Sequence, residues 1–136
     1  MARILAIDFG EKRTGIAVTD PLQIIASGLT TVSTTELLEY LRDYVSKEEV
    51  ELIVIGQPRR MNNEFSEVEQ KIQHFINILN KELPQIAVTR VDERFTSKIA
   101  FQSMLDGGVK KKDRRKKELL DKVSATVILQ SYLYNR

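Results

Sequence analysis

The sequence predicts an α/β fold: a mixed five-stranded sheet, three antiparallel strands followed by two parallel ones, with helices on both faces. Three observations carry this. The chain opens with three short apolar runs separated by turn-like breaks. Beyond them, aliphatic runs alternate with segments of helical period, and the helical segments begin on Ser/Thr boxes or end on Pro or Gly.

The first three strands are expected at Arg3 to Phe9, Thr14 to Thr19 and Ile24 to Val32. Gly10-Glu11-Lys12-Arg13 and Asp20-Pro21 separate them, and connections this short imply an antiparallel meander. Ser33-Thr34-Thr35-Glu36 has the form of a capping box, and Leu37, Leu38, Leu41, Tyr44 and Val45 follow at helical spacing. Leu52-Ile53-Val54-Ile55, closed by Gly56, is a continuous aliphatic run, as a strand covered on both faces requires. Ser66-Glu67-Val68-Glu69 repeats the capping pattern. The stripe Val68, Ile72, Phe75, Ile76, Leu79 and Leu83 then runs to Pro84. A further strand is expected at Ile86 to Asp92, a third helix from Thr96 to Leu105 before Gly107-Gly108, and a last helix from Lys117 to Tyr134.

A length of 136 residues fits one domain spanning 1–136, enough chain to bury a core. With no cysteine there is no disulfide framework and no thiolate ligand, so any metal must be held by oxygen or by His74, and a reducing, cytoplasmic setting is expected. No apolar stretch approaches a membrane span or a signal peptide, so no membrane partner is expected. The formal charge of +2 is unevenly spread. Residues 110 to 117 hold seven cations (Lys110, Lys111, Lys112, Arg114, Arg115, Lys116 and Lys117) and one anion, which leaves the rest of the chain net acidic. Such a block is either a solvated loop or an arm for a polyanion, and the second suits an otherwise acidic domain better.

The most informative misfits are acidic. Asp8 ends the run Ile4-Leu5-Ala6-Ile7 where an aliphatic side chain should continue, and a carboxylate at the end of a core strand is costly without a compensating cation or proton. The pattern recurs at Val91-Asp92-Glu93 and at Asp121 inside the apolar pattern of the last helix. Parallel crossovers bring strand C-termini to one edge of a sheet, so Asp8 and Glu93 are expected to converge there. Ser124, Ala125 and Ile128 share the helical face of Asp121, and the small ones permit close approach to the sheet. One shared metal site is the expectation.

These residues also carry a family resemblance. Ile-Leu-Ala-Ile-Asp-Phe-Gly-Glu-Lys-Arg-Thr-Gly at 4–15, Gly-Gln-Pro at 56–58, Asp-Glu-Arg-Phe-Thr-Ser at 92–97 and Asp-Lys-Val-Ser-Ala-Thr at 121–126 resemble the YqgF family across essentially the whole chain. The resemblance implies a ribonuclease-H-like fold and a nuclease, described in that family as a Holliday-junction resolvase and as a processor of the 5′ end of pre-16S ribosomal RNA. It implies Asp8, Glu93 and Asp121 as the catalytic and metal-holding acids. Mg²⁺ or Mn²⁺ is the expected cofactor, two ions in number, since hard cations take a few carboxylates plus phosphate oxygens. The implied partner is nucleic acid, either an RNA precursor or branched DNA.

Around this triad, Arg13 is expected to reach a phosphate from its hairpin. Arg94 is expected to fix Glu93 or bind substrate. Gly15 reads as a backbone requirement and His74 as a surface residue. Where the family pattern continues with an Asn-Met-Asp-Gly-like turn, this chain has Arg59-Arg60-Met61-Asn62-Asn63-Glu64, which adds Arg59 and Arg60 as candidate phosphate contacts. The hairpin at Asp8-Phe9-Gly10 also resembles the phosphate-binding hairpin of actin-like ATPases and sugar kinases, but those enzymes close two such domains around a nucleotide. A nucleic-acid-binding regulator without catalysis is the other rival. A symmetric resolvase calls for a two-fold dimer and an RNA-trimming enzyme only a monomer, so a monomer or weak homodimer is expected.

Overall fold

A computed structural model describes residues 2–57, 68–92 and 116–136, with side chains from Asp121 onward in the last segment. The strands are β1 (Arg3–Asp8), β2 (Arg13–Thr19), β3 (Ala26–Ser33), β4 (Val50–Gln57) and β5 (Ala87–Asp92). The helices are α1 (Leu37–Lys47), α2 (Val68–Glu82) and α3 (Lys116–Asn135). The sheet runs in the order β3-β2-β1-β4-β5. β1 pairs antiparallel with β2, and β2 with β3, whereas β1 pairs parallel with β4 and β4 with β5. This is the mixed five-stranded sheet expected from the sequence.

Strand alternation divides the core into two layers. On one side Leu5, Ile7, Ile16, Ile53 and Ile55 pack against Leu37 and Leu41 of α1 and Ile72, Phe75 and Leu79 of α2. On the other, Ile4, Ala6, Ala17 and Val54 meet Ala125, Ile128 and Leu129 of α3. β4 lies between β1 and β5 with both faces covered, which explains its unbroken aliphatic run. α3 lies across β2, β3 and β1, and two glycines let it come close. A Cβ on Gly15 would stand 2.0 Å from the carbonyl oxygen of Asp121, and one on Gly28 would stand 3.2 Å from Thr126 Oγ1. Buried Ser124 and Ala125 complete the contact from the helix side.

The structure differs from expectation in two local places. Ser33 does not cap α1 through its side chain; a 3₁₀ turn at Thr34–Glu36 precedes the helix, and the Ser33 hydroxyl bonds instead to that of Thr35 at 3.1 Å. Local Ser/Thr competition for hydroxyl partners overrides the box pattern here. Ile24 and Ile25 lie outside β3. The Asp20 carboxylate accepts from the amides of Leu22, Ile24 and Ile25 at 3.1, 2.8 and 2.7 Å, holding a tight loop with Gln23 at φ 59°. The second capping pattern begins at Ser66, outside the described residues; the carboxylate of its Glu69 accepts from Arg90 and Gln73. The helix expected at Thr96 to Leu105 lies outside the described residues.

Candidate metal centre

The C-terminal edge of the parallel strands carries the acidic pair. Asp8 is the last residue of β1, and it sits on the α3 side by the alternation that places Ile4 and Ala6 there. Its register partner on β2 is Gly15. Because Gly15 has no side chain, the backbone of α3 at Asp121 closes directly over this pairing. Three features of sequence, an acid at a strand end, a glycine opposite it and an acid one turn before Ser124-Ala125, therefore build one locus.

The electrostatics of that locus are unfavourable for anions. Burial, and then the Asp121 charge beside it, push the Asp8 carboxyl up to about 7 from the ordinary aspartate value of 3.8. Asp121 meets the one described cation at the site, as Arg13 Nε donates to its Oδ2 at 3.0 Å. Arg13 opens β2, immediately after the tight turn of Gly10, where an added Cβ would stand 2.3 Å from the Arg13 carbonyl oxygen. The turn is tied down from the far side: the Thr34 hydroxyl donates to the Gly10 carbonyl at 2.7 Å, and it shares a 2.9 Å hydrogen bond with the Thr14 hydroxyl. Thus the arginine reaches the acids from a fixed base.

Two hard carboxylates, one raised toward neutrality by burial and then by its acidic neighbour, the other drawing a guanidinium, form a donor set that suits a divalent cation. Among the described residues no three acidic or histidine side chains gather at one point. The third expected ligand, Glu93, lies outside the described residues, as do Arg59, Arg60, Arg94, Lys110, Lys111, Lys112, Arg114 and Arg115. Lys116 and Lys117 open α3, without described side chains. His74 is exposed on α2.

A second charged group at this edge was not singled out in the sequence. Arg90 of β5 donates through Nη1 and Nη2 to the two carboxylate oxygens of Glu69 at 2.9 and 2.7 Å. The same guanidinium donates to the carbonyls of Ile55 and Gly56 at 3.1 and 3.0 Å, and Gln73 adds a 2.7 Å bond to Glu69. Arg90, followed by Gln73 and Gln57, holds the Glu69 carboxyl below the usual carboxylate range against its burial. The signal was present: Arg90 has the same strand parity as Val88, which packs in the α1/α2 layer, so a charge there demands a buried partner.

Comparison with known proteins places the chain. Residues 2–135 match the model of a family described as "RuvX: Holliday junction resolvase". A protein of Phocaeicola vulgatus is 60% identical over 136 residues, covering 100% of this chain and 98% of its own length. One of Christiangramia forsetii is 58% identical over 134 residues, 98% of this chain and 99% of its own. One of Bacteroides fragilis is 59% identical over 133 residues, 98% and 96% respectively. All three are named "Putative pre-16S rRNA nuclease". The fold is of the ribonuclease-H-like kind, a class of nucleases that generally uses divalent metal ions, and the chain belongs to the RuvX Holliday junction resolvase family.

Proposed function

We propose that this RuvX family member is a divalent-metal-dependent nuclease that hydrolyses phosphodiester bonds in the cytoplasm, with the 5′ end of pre-16S ribosomal RNA as its substrate. The observation that carries the reading is the crowding of Asp8 against Asp121 at the strand edge, a charge conflict that a metal ion resolves. The relatives' names supply the RNA. The family's description favours branched DNA as a second reading.

In this reading Asp8, Asp121 and Glu93, which follows β5 directly in the chain, hold Mg²⁺ or Mn²⁺, two ions in all. When bound, these ions supply Lewis-acid chemistry to an attacking water and to the departing oxygen. Asp8 must lose its proton to serve, so at limiting metal concentration activity should rise as pH climbs toward about 7. Arg13 moves its donors from Asp121 to the scissile phosphate, which offers the same paired oxygens. Gly15 keeps the helix close enough for Asp121 to take part. Arg94 orients Glu93, while Arg59, Arg60 and the cationic run Lys110 to Lys117 draw the phosphate backbone toward the site. The unit acts as a single domain, monomeric or weakly dimeric.

The test is cleavage of an end-labelled 16S precursor leader and of a four-way DNA junction by the purified chain with Mg²⁺ or Mn²⁺. The RNA is expected to be cut. Asp8→Asn, Glu93→Gln and Asp121→Asn should each lower the rate roughly a thousandfold with circular dichroism unchanged, and combining them should add little, because the ligands act as a unit. Full activity of Asp121→Asn sinks the site as drawn, and cutting of the junction alone transfers the substrate to DNA.

A further inference from the structure

One residue along from Asp8, across the same sheet edge, lies a cavity of about 360 Å³ that the metal-centred reading leaves unused. Its apolar walls are Phe9, Phe75 and Ile78, with the two rings 5.7 Å apart and tilted by 40°. Phe9 packs with the α1/α2 layer, whereas Asp8 belongs to the α3 side, so the cavity and the acids occupy opposite faces of one rim. Consecutive Cα atoms are only about 3.8 Å apart, so a polymer whose phosphate sits at Asp8 has Phe9 within reach of a neighbouring nucleotide across the rim.

We propose that this cavity binds a nucleobase of the substrate strand, that of a nucleotide flanking the scissile phosphate. The partly exposed ring of Phe9, backed by Phe75 and flanked by Ile78, offers the stacking surface that single-stranded nucleic acid seeks. The polar lining fits the edge of a base. Thr34 is occupied in holding Gly10 and Thr14, but Gln70 and His74 are exposed on the same α2 face and carry both donors and acceptors. Lys71, on the rim, pairs at 3.6 Å with exposed Glu11, a contact weak enough to yield to a backbone phosphate. A free apolar ligand would leave this cation and these amide and imidazole groups without use. The inference rests on the nuclease reading for the path of the strand.

The experiment reads binding, not cleavage. The full chain in chelator is titrated with a short single-stranded RNA in which one 2-aminopurine is moved position by position, and with the same RNA carrying an abasic site at each position. One position should show strong quenching on binding, and its abasic form should bind roughly tenfold more weakly, as loss of one stacked base predicts. Ile78→Trp, which fills the cavity from a half-buried position, should abolish the quench and make the intact RNA bind like the abasic one. Phe9→Leu keeps the apolar volume and should lose most of the quench, so the outcome does not hang on one variant folding. No responsive position, or unchanged affinity and quench in both variants, overturns the base site. Cleavage without the quench leaves the nuclease reading standing alone; the quench without cleavage leaves the base site standing alone.

Discussion

Two charged groups sit at one edge of this sheet, on opposite faces, and they are built on contrary principles. Facing α2, Glu69 and Arg90 form a closed unit: both carboxylate oxygens are engaged, and the guanidinium also serves two strand carbonyls. Facing α3, Asp8 and Asp121 oppose each other, and Arg13 from the hairpin donates to Asp121. The first arrangement lowers its carboxyl's pKa and the second raises it. The closed pair holds β4, β5 and α2 together, while the burial of Asp8 beside a second carboxylate disfavours its charged form, a cost that a bound cation would relieve. On this contrast rests the proposal that Glu69 and Arg90 serve the fold while Asp8 and Asp121 serve the chemistry.

The contrast breaks first at Arg90. Arg90→Ala strands a carboxylate only 8% exposed and two carbonyl oxygens, and should destabilise the protein by about 3 kcal/mol. Urea melts check it. Adding Glu69→Leu should recover part of the loss, since removing both charges costs less than removing one. An Arg90→Ala protein as stable as wild type would mean that the closed unit is ornamental.

A smaller effect, of opposite sign, is expected at Asp8. Its raised folded-state pKa means that the native state binds a proton the unfolded chain has lost between pH 3.8 and about 7. This contribution is fully present below the lower value and disappears as pH rises through the higher one. Asp8→Asn should therefore stabilise the metal-free protein at pH 8, on the order of 2 kcal/mol since the edge is partly wet, with the gain vanishing toward pH 4. Glu69 contributes the other way: its lowered pKa adds stability above the ordinary carboxylate range, lost as the solution becomes acid. Thermal melts of wild type and Asp8→Asn in chelator from pH 4 to 8 sharpen the contrast. A variant less stable at pH 8 would show that Asp8 has a structural partner.

Much of this was legible beforehand, for physical reasons. Continuous aliphatic runs announce buried strands, and Asp8 stands out because it interrupts one. Gly15 was readable as a backbone requirement, although its cause, the approach of a helix more than a hundred residues later, is a tertiary fact. The box at Ser33 misled because several hydroxyl partners are at hand: the Ser33 hydroxyl pairs with that of Thr35, and the Thr34 hydroxyl with the hairpin at Gly10 and Thr14. Ile24 and Ile25 read as strand by composition, yet three amide bonds to Asp20 hold them outside it. Arg90–Glu69 was hidden because a partner twenty-one residues away in sequence leaves no local trace beyond the wrong polarity at a core-facing position.

If the crowded pair at Asp8 and Asp121 is kept for a divalent cation, calorimetric titration of the full chain with Mg²⁺ at pH 8 will register it. Wild type should bind saturably, Asp8→Asn should not, and Arg13→Gln should bind several-fold more tightly because Asp121 is no longer shared with the guanidinium. Equal Mg²⁺ binding by wild type and Asp8→Asn would contradict the account.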